Sequence, residues 1–426
     1  MSAIPHIFVA QLTNQSYGVN TAWADVSGVA ISATDLSNAG ISAGDNILIL
    51  ATAQLGGASN TVFFGAKIVH GTTEFAESVD SRNANTGSTR RTYRWFSVWT
   101  VVASEGLKMQ FRTGSGSGFE VQIDQCFLAV IKIDDLVENT DWFYAERATD
   151  DALSTAFTTG ASVTFTPGTA GHDWLVLAIA RFSTTSSTTS TISRINRSGE
   201  AAETVPSWTL EMSESISALL GACSRVFNLG SSSNTFAEAA ATSSGTAHTR
   251  LHSQIFALNL NKFAQHSNAY TEADVALSAT NYATALQTLA ITPGVLGDVL
   301  LGSYFGFDKQ NTARVAEFRV QVDNSDAPAG QTTDNYQFYS GNDANDEVPF
   351  SLDTMIELNA AEHAIDLDGS ADSVTNTPTA QHRSLWAFTM ELAGAANITP
   401  TPGAAILTGI AGRMDFGIIT QTEVNP

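Results

Sequence analysis

Cysteine is nearly absent from this sequence. Cys126 and Cys223 are the two in 426 residues, and neither belongs to a CxxC pair. That excludes a disulfide framework and a tetrathiolate metal site, and both residues are expected as buried free thiols. Basic residues are also few, 20 Lys and Arg against 42 Asp and Glu, with lysine the scarcer. A formal charge of −22 repels phosphate backbones and anionic lipid, so neither nucleic acid nor a membrane surface is expected as a partner. Long apolar runs are missing too. Trp174–Ala180, seven residues, is among the longest, against the ~20 that span a bilayer. The opening MSAIPHIFVAQLTNQS places no basic residue before its short apolar stretch, so no secretory signal and synthesis in a cytoplasm are expected.

Catalytic motifs are equally scarce. No GxSxG elbow, P-loop, GxGxxG or HExxH occurs, and Gly114–Gly118 (GSGSG) lacks the lysine and helix that would hold a phosphate. His248 and His252 are four apart, a zinc spacing only on a helix, whereas their surroundings read as loop and strand. No catalytic residue and no cofactor site is expected. Acidic loops leave one opening, a structural calcium site using Asp343 and Asp346 of GNDANDE or Asp366 and Asp368 of DLDGSAD. Neither stretch matches the EF-hand loop. A glycosidase needs two carboxylates, but nothing selects a pair from 42 candidates.

What the sequence does have is 43% hydrophobic residues, enough for large cores, and internal repetition. A Gly/Asp turn feeding an apolar strand recurs as AGDNILILATAQL, AGHDWLVLAIARF and LGDVLLGSYFGF, with Asp45, Asp173 and Asp298 spaced by 128 and 125 residues. A second phrase, around Ala129, Ala257 and Ala387, repeats at 128 and 130. β-branched and aromatic residues, period-two alternation and frequent Gly/Ser/Thr/Asn punctuation favour strands. Asp150–Phe157 and Glu272–Leu286 are expected to hold a turn or two of helix.

The expected fold class is all-β: three tandem antiparallel β-sandwich, jelly-roll-like domains over residues 1–137, 138–262 and 263–394, then an extended C-terminal arm over 395–426. The strand Trp174–Ala180 has no polar face, so one side fills a core and the other needs a cover from a neighbouring domain, a second subunit or a loop. Leu175 and Leu177 are expected in the core and Val176 at an interface. Ile406, Leu407 and Ile418 of the arm are further interface candidates. Tyr93, Trp95, Phe96 and Trp99, crowded into eight residues, form either core or an exposed sugar-binding platform.

The stretch Thr354–Leu392, with His363, Ile365 and Leu367 in an H-x-I-x-L pattern, resembles the closing strands of TNF/C1q-like jelly rolls of tailed-phage virion proteins. Pro402–Met414 (PGAAILTGIAGRM) is similar to a phrase near the ends of phage structural proteins, with Arg413 and Met414 departing from it. The resemblance implies a bacteriophage virion component, a capsid decoration protein foremost, made in the host cytoplasm. Its implied partners are other virion proteins, with the major capsid protein first, and copies of itself, with a trimer favoured. The alternative is a carbohydrate- or receptor-binding tail-fibre adhesin, and a glycoside hydrolase or lyase is the weakest reading.

Overall fold

A computed structural model describes residues 3–11, 15–17, 22–57, 63–71, 73–74, 79–82, 89–113, 121–184, 190–198, 207–211, 216–243, 248–277, 282, 284–308, 315–326, 336–339, 347–371 and 379–393. Strand follows strand, as β-branched and aromatic side chains on a pleated, half-buried surface favour. Helix among the described residues is confined to α1 (Ala33–Asn38) and one turn at Leu260–Lys262. Ser32 caps α1 by accepting from the Asp35 backbone N–H, and the Asp35 carboxylate accepts from the Ser32 N–H in return. Among the described residues, the helical turns expected near Asp150 and Glu272 are not formed. Asp151–Ala152 and Val275–Ala276 add short strands to β-sheets there instead, so tertiary pairing overrides weak local propensity.

Three sets of eight principal strands follow one another. The first domain has β1 (His6–Gln11), β2 (Ala24–Ile31), β3 (Asn46–Gly57), β4 (Phe63–His70), β5 (Val79–Arg82), β6 (Thr89–Thr100), β7 (Leu107–Thr113) and β8 (Val121–Lys132). The second has β9 (Trp142–Arg147), β10 (Thr158–Phe165), β11 (His172–Thr184), β12 (Ser190–Arg197), β13 (Ser207–Glu211), β14 (Ile216–Leu229), β15 (Asn234–Thr242) and β16 (His248–Asn259). The third has β17 (His266–Thr271), β18 (Thr284–Ile291), β19 (Gly297–Asp308), β20 (Val315–Val322), β21 (Tyr336–Tyr339), β22 (Glu347–Leu358), β23 (His363–Ala371) and β24 (Thr379–Thr389).

Each set pairs in the same order. One antiparallel sheet runs first, eighth, third, sixth: β1-β8-β3-β6, β9-β16-β11-β14 and β17-β24-β19-β22. The other runs second, seventh, fourth, fifth: β2-β7-β4-β5, β10-β15-β12-β13 and β18-β23-β20-β21. Two four-stranded sheets interleaved in this way are a jelly roll. The recurrent apolar strand is the third of each set. It has a partner on both edges, and side chains on both of its faces are buried, which is why it carries no charged residue over its central run. Gly44 and Gly171 start two of these strands with φ of 94° and 81°, the left-handed backbone that glycine adopts at no steric cost.

The domains close into a ring. Strand β5 of the first domain lies against β14 of the second, β13 of the second against β22 of the third, and β21 of the third against β6 of the first. The first of these contacts includes a β-bridge, Ala218 to Asp80. The sheets containing β3, β11 and β19 therefore turn inward and cover one another. One hydrophobic core runs through the first two domains and takes in Leu300, Tyr304, Met355, Trp386 and Phe388 of the third. A separate cluster, including Leu301, Phe305, Phe318 and Phe350, fills the third sandwich.

This arrangement reverses the faces expected for β11. Trp174 packs on Phe165 of the opposing sheet at 4.4 Å, and Val176, two residues on, shares that face. Val176 is fully buried inside its own sandwich and is not an interface residue. Leu177 is the cross-strand partner of Ser224, whose hydroxyl meets the other two domains. Leu175 and Leu177 thus face the ring interior. The run Trp174–Ala180 is apolar at every position, so alternation had no face to report.

Candidate functional site

The polar centre of the molecule lies where the three domains meet. Arg94 of β6, Ser224 of β14 and Asp353 of β22 each come from the sixth strand of their domain and are sealed from solvent. Arg94 donates from Nε to Asp353 Oδ2 (2.8 Å) and from Nη2 to Oδ1 (2.6 Å). Its Nη1 donates to Ser224 Oγ at 2.9 Å, and Nη2 also reaches the Ser303 and Leu352 carbonyls at 3.0 and 3.1 Å. Trp386 Nε1 donates to the same Ser224 oxygen at 3.2 Å. The indole lies across its register partner Gly302, where any Cβ would fall 2.0 Å from a ring carbon. Burial pushes the Asp353 carboxyl up, opposed by the Arg94 charge.

Two further bridges cross between domains at one end of the ring, where the Gly/Asp turns lie. His6 Nε2 of β1 meets Asp298 Oδ2 of β19 at 2.9 Å, while its Nδ1 meets the Ile4 carbonyl at 2.7 Å. His266 Nε2 of β17 meets Asp173 Oδ2 of β11 at 3.3 Å, and Asn268 Nδ2 donates to the same oxygen at 3.1 Å. The Arg225 guanidinium lies 3.8 Å from the Tyr270 ring centroid, joining the second and third domains again.

A second buried polar cluster is internal to the second sandwich. Arg250 donates to Glu238 Oε2 (2.8 Å) and Asp151 Oδ2 (2.7 Å), and Ser193 donates to Glu238 Oε1 (2.6 Å). Burial pushes the Glu238 carboxyl up to about 7 despite the neighbouring guanidinium. Gly160 is needed beside it, because a Cβ there would fall 2.3 Å from Glu238 Oε2. On the first domain, a cleft of about 630 Å³ opens beside β2 and α1, lined by Val9, Ala30, Asp35, Glu105 and Lys108 among others.

The residues singled out from sequence do not converge. Among the described residues no three His, Cys, Asp or Glu side chains gather as a metal would require. Asp366 accepts from Thr288 Oγ1 at 2.6 Å, and Asp368 pairs with Arg319 Nε at 3.2 Å. Asp343 and Asp346 lie outside the described residues, as do Ile406, Leu407 and Ile418. His248 is bound to Thr191 at 2.6 Å and His252 to Glu146 at 2.8 Å, so their four-residue spacing serves two separate contacts. The His252 hydrogen bond holds the Glu146 carboxyl low. Tyr93, Trp95, Phe96 and Trp99 are all buried, so they are core and not a platform. Ile365 and Leu367 of the H-x-I-x-L pattern fill the third sandwich, and His363 bonds Asp323 at 2.6 Å. Cys126 and Cys223 are buried free thiols.

The junction itself escaped the sequence reading. Arg94 and Asp353 are 259 residues apart, and the only local hint is a charged residue inside an otherwise uncharged aromatic strand, Tyr93 to Thr100.

No known protein family matches the chain, and no curated protein is similar to it. Among solved structures, a triple jelly roll fold in the turret assembly of an archaeal virus aligns over 90% of this chain and 92% of its own. Identity is 11% and the TM-score 0.20. A protein of the lipid-containing bacteriophage PM2 aligns over 90% and 99% at 8% identity and 0.17. The CBM22-1–CBM22-2 tandem domain of Paenibacillus barcinonensis Xyn10C aligns over 59% and 97% at 11% identity and 0.19. At TM-scores this low, none of these likenesses bears on what the chain does.

Proposed function

We propose that this chain is a structural component of a virus particle, a preassembled block of three jelly rolls that attaches to the outside of a capsid as a decoration protein. The observation that carries this reading is the junction of Arg94, Ser224 and Asp353. Three identical domains around a threefold axis present three identical residues there, and three arginines would repel. Here the sixth strands of three unlike domains supply a cation, a hydroxyl and an anion, which complement one another within one chain. The chain thus does by itself what a trimer of single jelly rolls does by association.

Such a block is strongly acidic and built around buried structural contacts, and those properties suit assembly better than turnover. Its partners are other virion proteins, the major capsid protein first, and it needs neither catalytic residues nor a bound cofactor for this role. Synthesis in the host cytoplasm fits the buried free thiols Cys126 and Cys223. Because the inward sheets are already covered, self-association of whole chains would use the outer sheets or the ends of the ring.

Quantitative mass spectrometry of purified particles of the encoding virus tests the proposal. A fixed copy number comparable to that of capsid positions, lost from particles by a high-salt wash, is the expected result. A chain abundant in infected lysate and missing from particles overturns it. A handful of copies per particle moves the assignment to the tail-fibre adhesin.

A further inference from the structure

The three domain junctions differ in how the chain holds them. Residues 133–141 tie the first domain to the second and residues 260–265 tie the second to the third, whereas no connecting segment joins the third to the first. That seam closes through non-covalent contacts. The Arg94–Asp353 pair holds its centre. At one end of the ring, Ala3 forms a β-bridge with Glu391 just past β24, and Ile4 N–H donates to the Met390 carbonyl at 2.8 Å. His6 of β1 completes this end by reaching Asp298 at the start of β19.

Both ring nitrogens of His6 face oxygen acceptors. Nδ1 lies 2.7 Å from the Ile4 carbonyl and Nε2 lies 2.9 Å from Asp298 Oδ2. A neutral imidazole has one N–H and one lone pair, so it satisfies one of these contacts and sets a lone pair against an oxygen in the other. The carbonyl has no hydrogen to give. His6 and Asp298 together therefore hold one proton more than a neutral imidazole beside a carboxylate. The two side chains are only 13% and 12% exposed, so water is poorly placed to replace either bond. Asp298 Oδ1 is buried with no hydrogen-bond partner among the described residues, which leaves the His6 ring to hold that carboxylate. The charged groups nearby are Glu391, Lys132 and Asp45. A Cβ on Gly297 would lie 3.9 Å from Glu391 Oε1, and burial pushes the Glu391 carboxyl up. Lys132 follows Ile131, the register partner of His6, and its Nζ is committed to Asp45 Oδ2 at 3.0 Å.

We propose that His6 and Asp298 form a proton-dependent latch on the seam between the third and first domains, closed while the pair keeps its extra proton and loosened when that proton leaves. The closed seam binds more protons than the open one, so the contribution of the latch is full in acid and is lost as rising pH removes the proton. His363 repeats the arrangement, 2.6 Å from Asp323 Oδ2 and 3.2 Å from the Asn359 carbonyl, but wholly within the third domain, so its titration acts away from the seam. This inference stands apart from the virion reading, because it concerns only how the chain closes on itself.

The test compares the full chain with Asp298→Asn at about pH 5.5 and about pH 8.5, which bracket the interval where histidines generally titrate. An amide at 298 donates to a neutral Nε2, leaving Nδ1–H for the Ile4 carbonyl, and by turning it accepts from a charged ring. The variant therefore closes the latch without the extra proton. Amide hydrogen exchange is read at residues 3–8 and 389–392, and comparing the two proteins at one pH cancels the intrinsic pH dependence of exchange. At about pH 8.5 the unaltered protein is expected to exchange about tenfold faster than the variant, the worth of one charge-assisted hydrogen bond. In acid it should exchange no faster than the variant. Glu391→Gln added to both proteins should leave this step in place, and β11 and β16 of the second domain should show none. A ratio that stays constant between the two pH values, or moves the other way, overturns the proposal. So does a step that disappears with Glu391→Gln, because that carboxyl is then the titrating group.

Discussion

The Arg94 guanidinium of the first domain closes on the Asp353 carboxylate of the third in a two-pronged pair at 2.6 and 2.8 Å, with neither side chain reached by water. Desolvating both charges is costly, so the pair is worth little against an apolar pair of the same shape. Leaving one member alone is another matter. Arg94→Met is expected to cost about 3 to 5 kcal/mol in denaturant unfolding, since it strands a buried carboxylate. Arg94→Met with Asp353→Leu should recover most of that loss. If the double variant is no more stable than the single one, the pair is not what joins these domains.

Gly302 and Trp386 make a second test of the junction. Gly302→Ala is expected to push the indole off its seat and break its bond to Ser224, at about 1 to 3 kcal/mol for an overpacked site. Tryptophan emission should shift to the red as Trp386 loses its buried position. An alanine variant with unchanged emission and midpoint would mean that the strand can move aside.

Glu238 sets a pH dependence whose sign is unusual for a carboxylate beside an arginine. Its folded carboxyl binds a proton up to about 7, against 4.5 for the ordinary value. Its contribution is therefore fully present below about pH 4.5, and it is lost as pH rises through about 7. The loss is on the order of 3 kcal/mol. Glu238→Gln keeps the neutral form at every pH. The unfolding midpoint of the unaltered protein, measured relative to Glu238→Gln, should fall between pH 5 and 8. A constant difference across that range would contradict a buried neutral acid.

Val176 and Leu177 are neighbours on β11 that point to opposite sides. Val176→Asp places a charge inside the second sandwich and is expected to unfold that domain, at several kcal/mol. Leu177→Asp places it at the inter-domain face. There it should loosen the ring, with protease nicking in the connections at residues 133–141 and 260–265 before the sandwiches are cut. Identical cleavage patterns for the two variants would refute the assignment of faces.

Much of the architecture was readable from local pattern. Gly/Asp turns feeding apolar strands recur at a near-constant period, and alternation with frequent turn residues is a local property of each strand. That is why the all-β class and the tandem order could be anticipated, whereas the choice between core and platform for the Tyr93–Trp99 aromatics needed the structure, which buries all four. The faces of β11 could not, because Trp174–Ala180 offers no polar residue to break the tie. The pairs Arg94 with Asp353 and His6 with Asp298 were equally hidden, separated by 259 and 292 residues.

The sequence by itself determined that this chain forms three antiparallel sandwiches, because strand period, turn chemistry and apolar content act over a few residues at a time. Only the tertiary structure decided that the inward sheets cover one another within a single chain. That outcome depends on which side chains meet at a shared centre, where a cation, a hydroxyl and an anion from the three sixth strands are complementary and three like charges would repel.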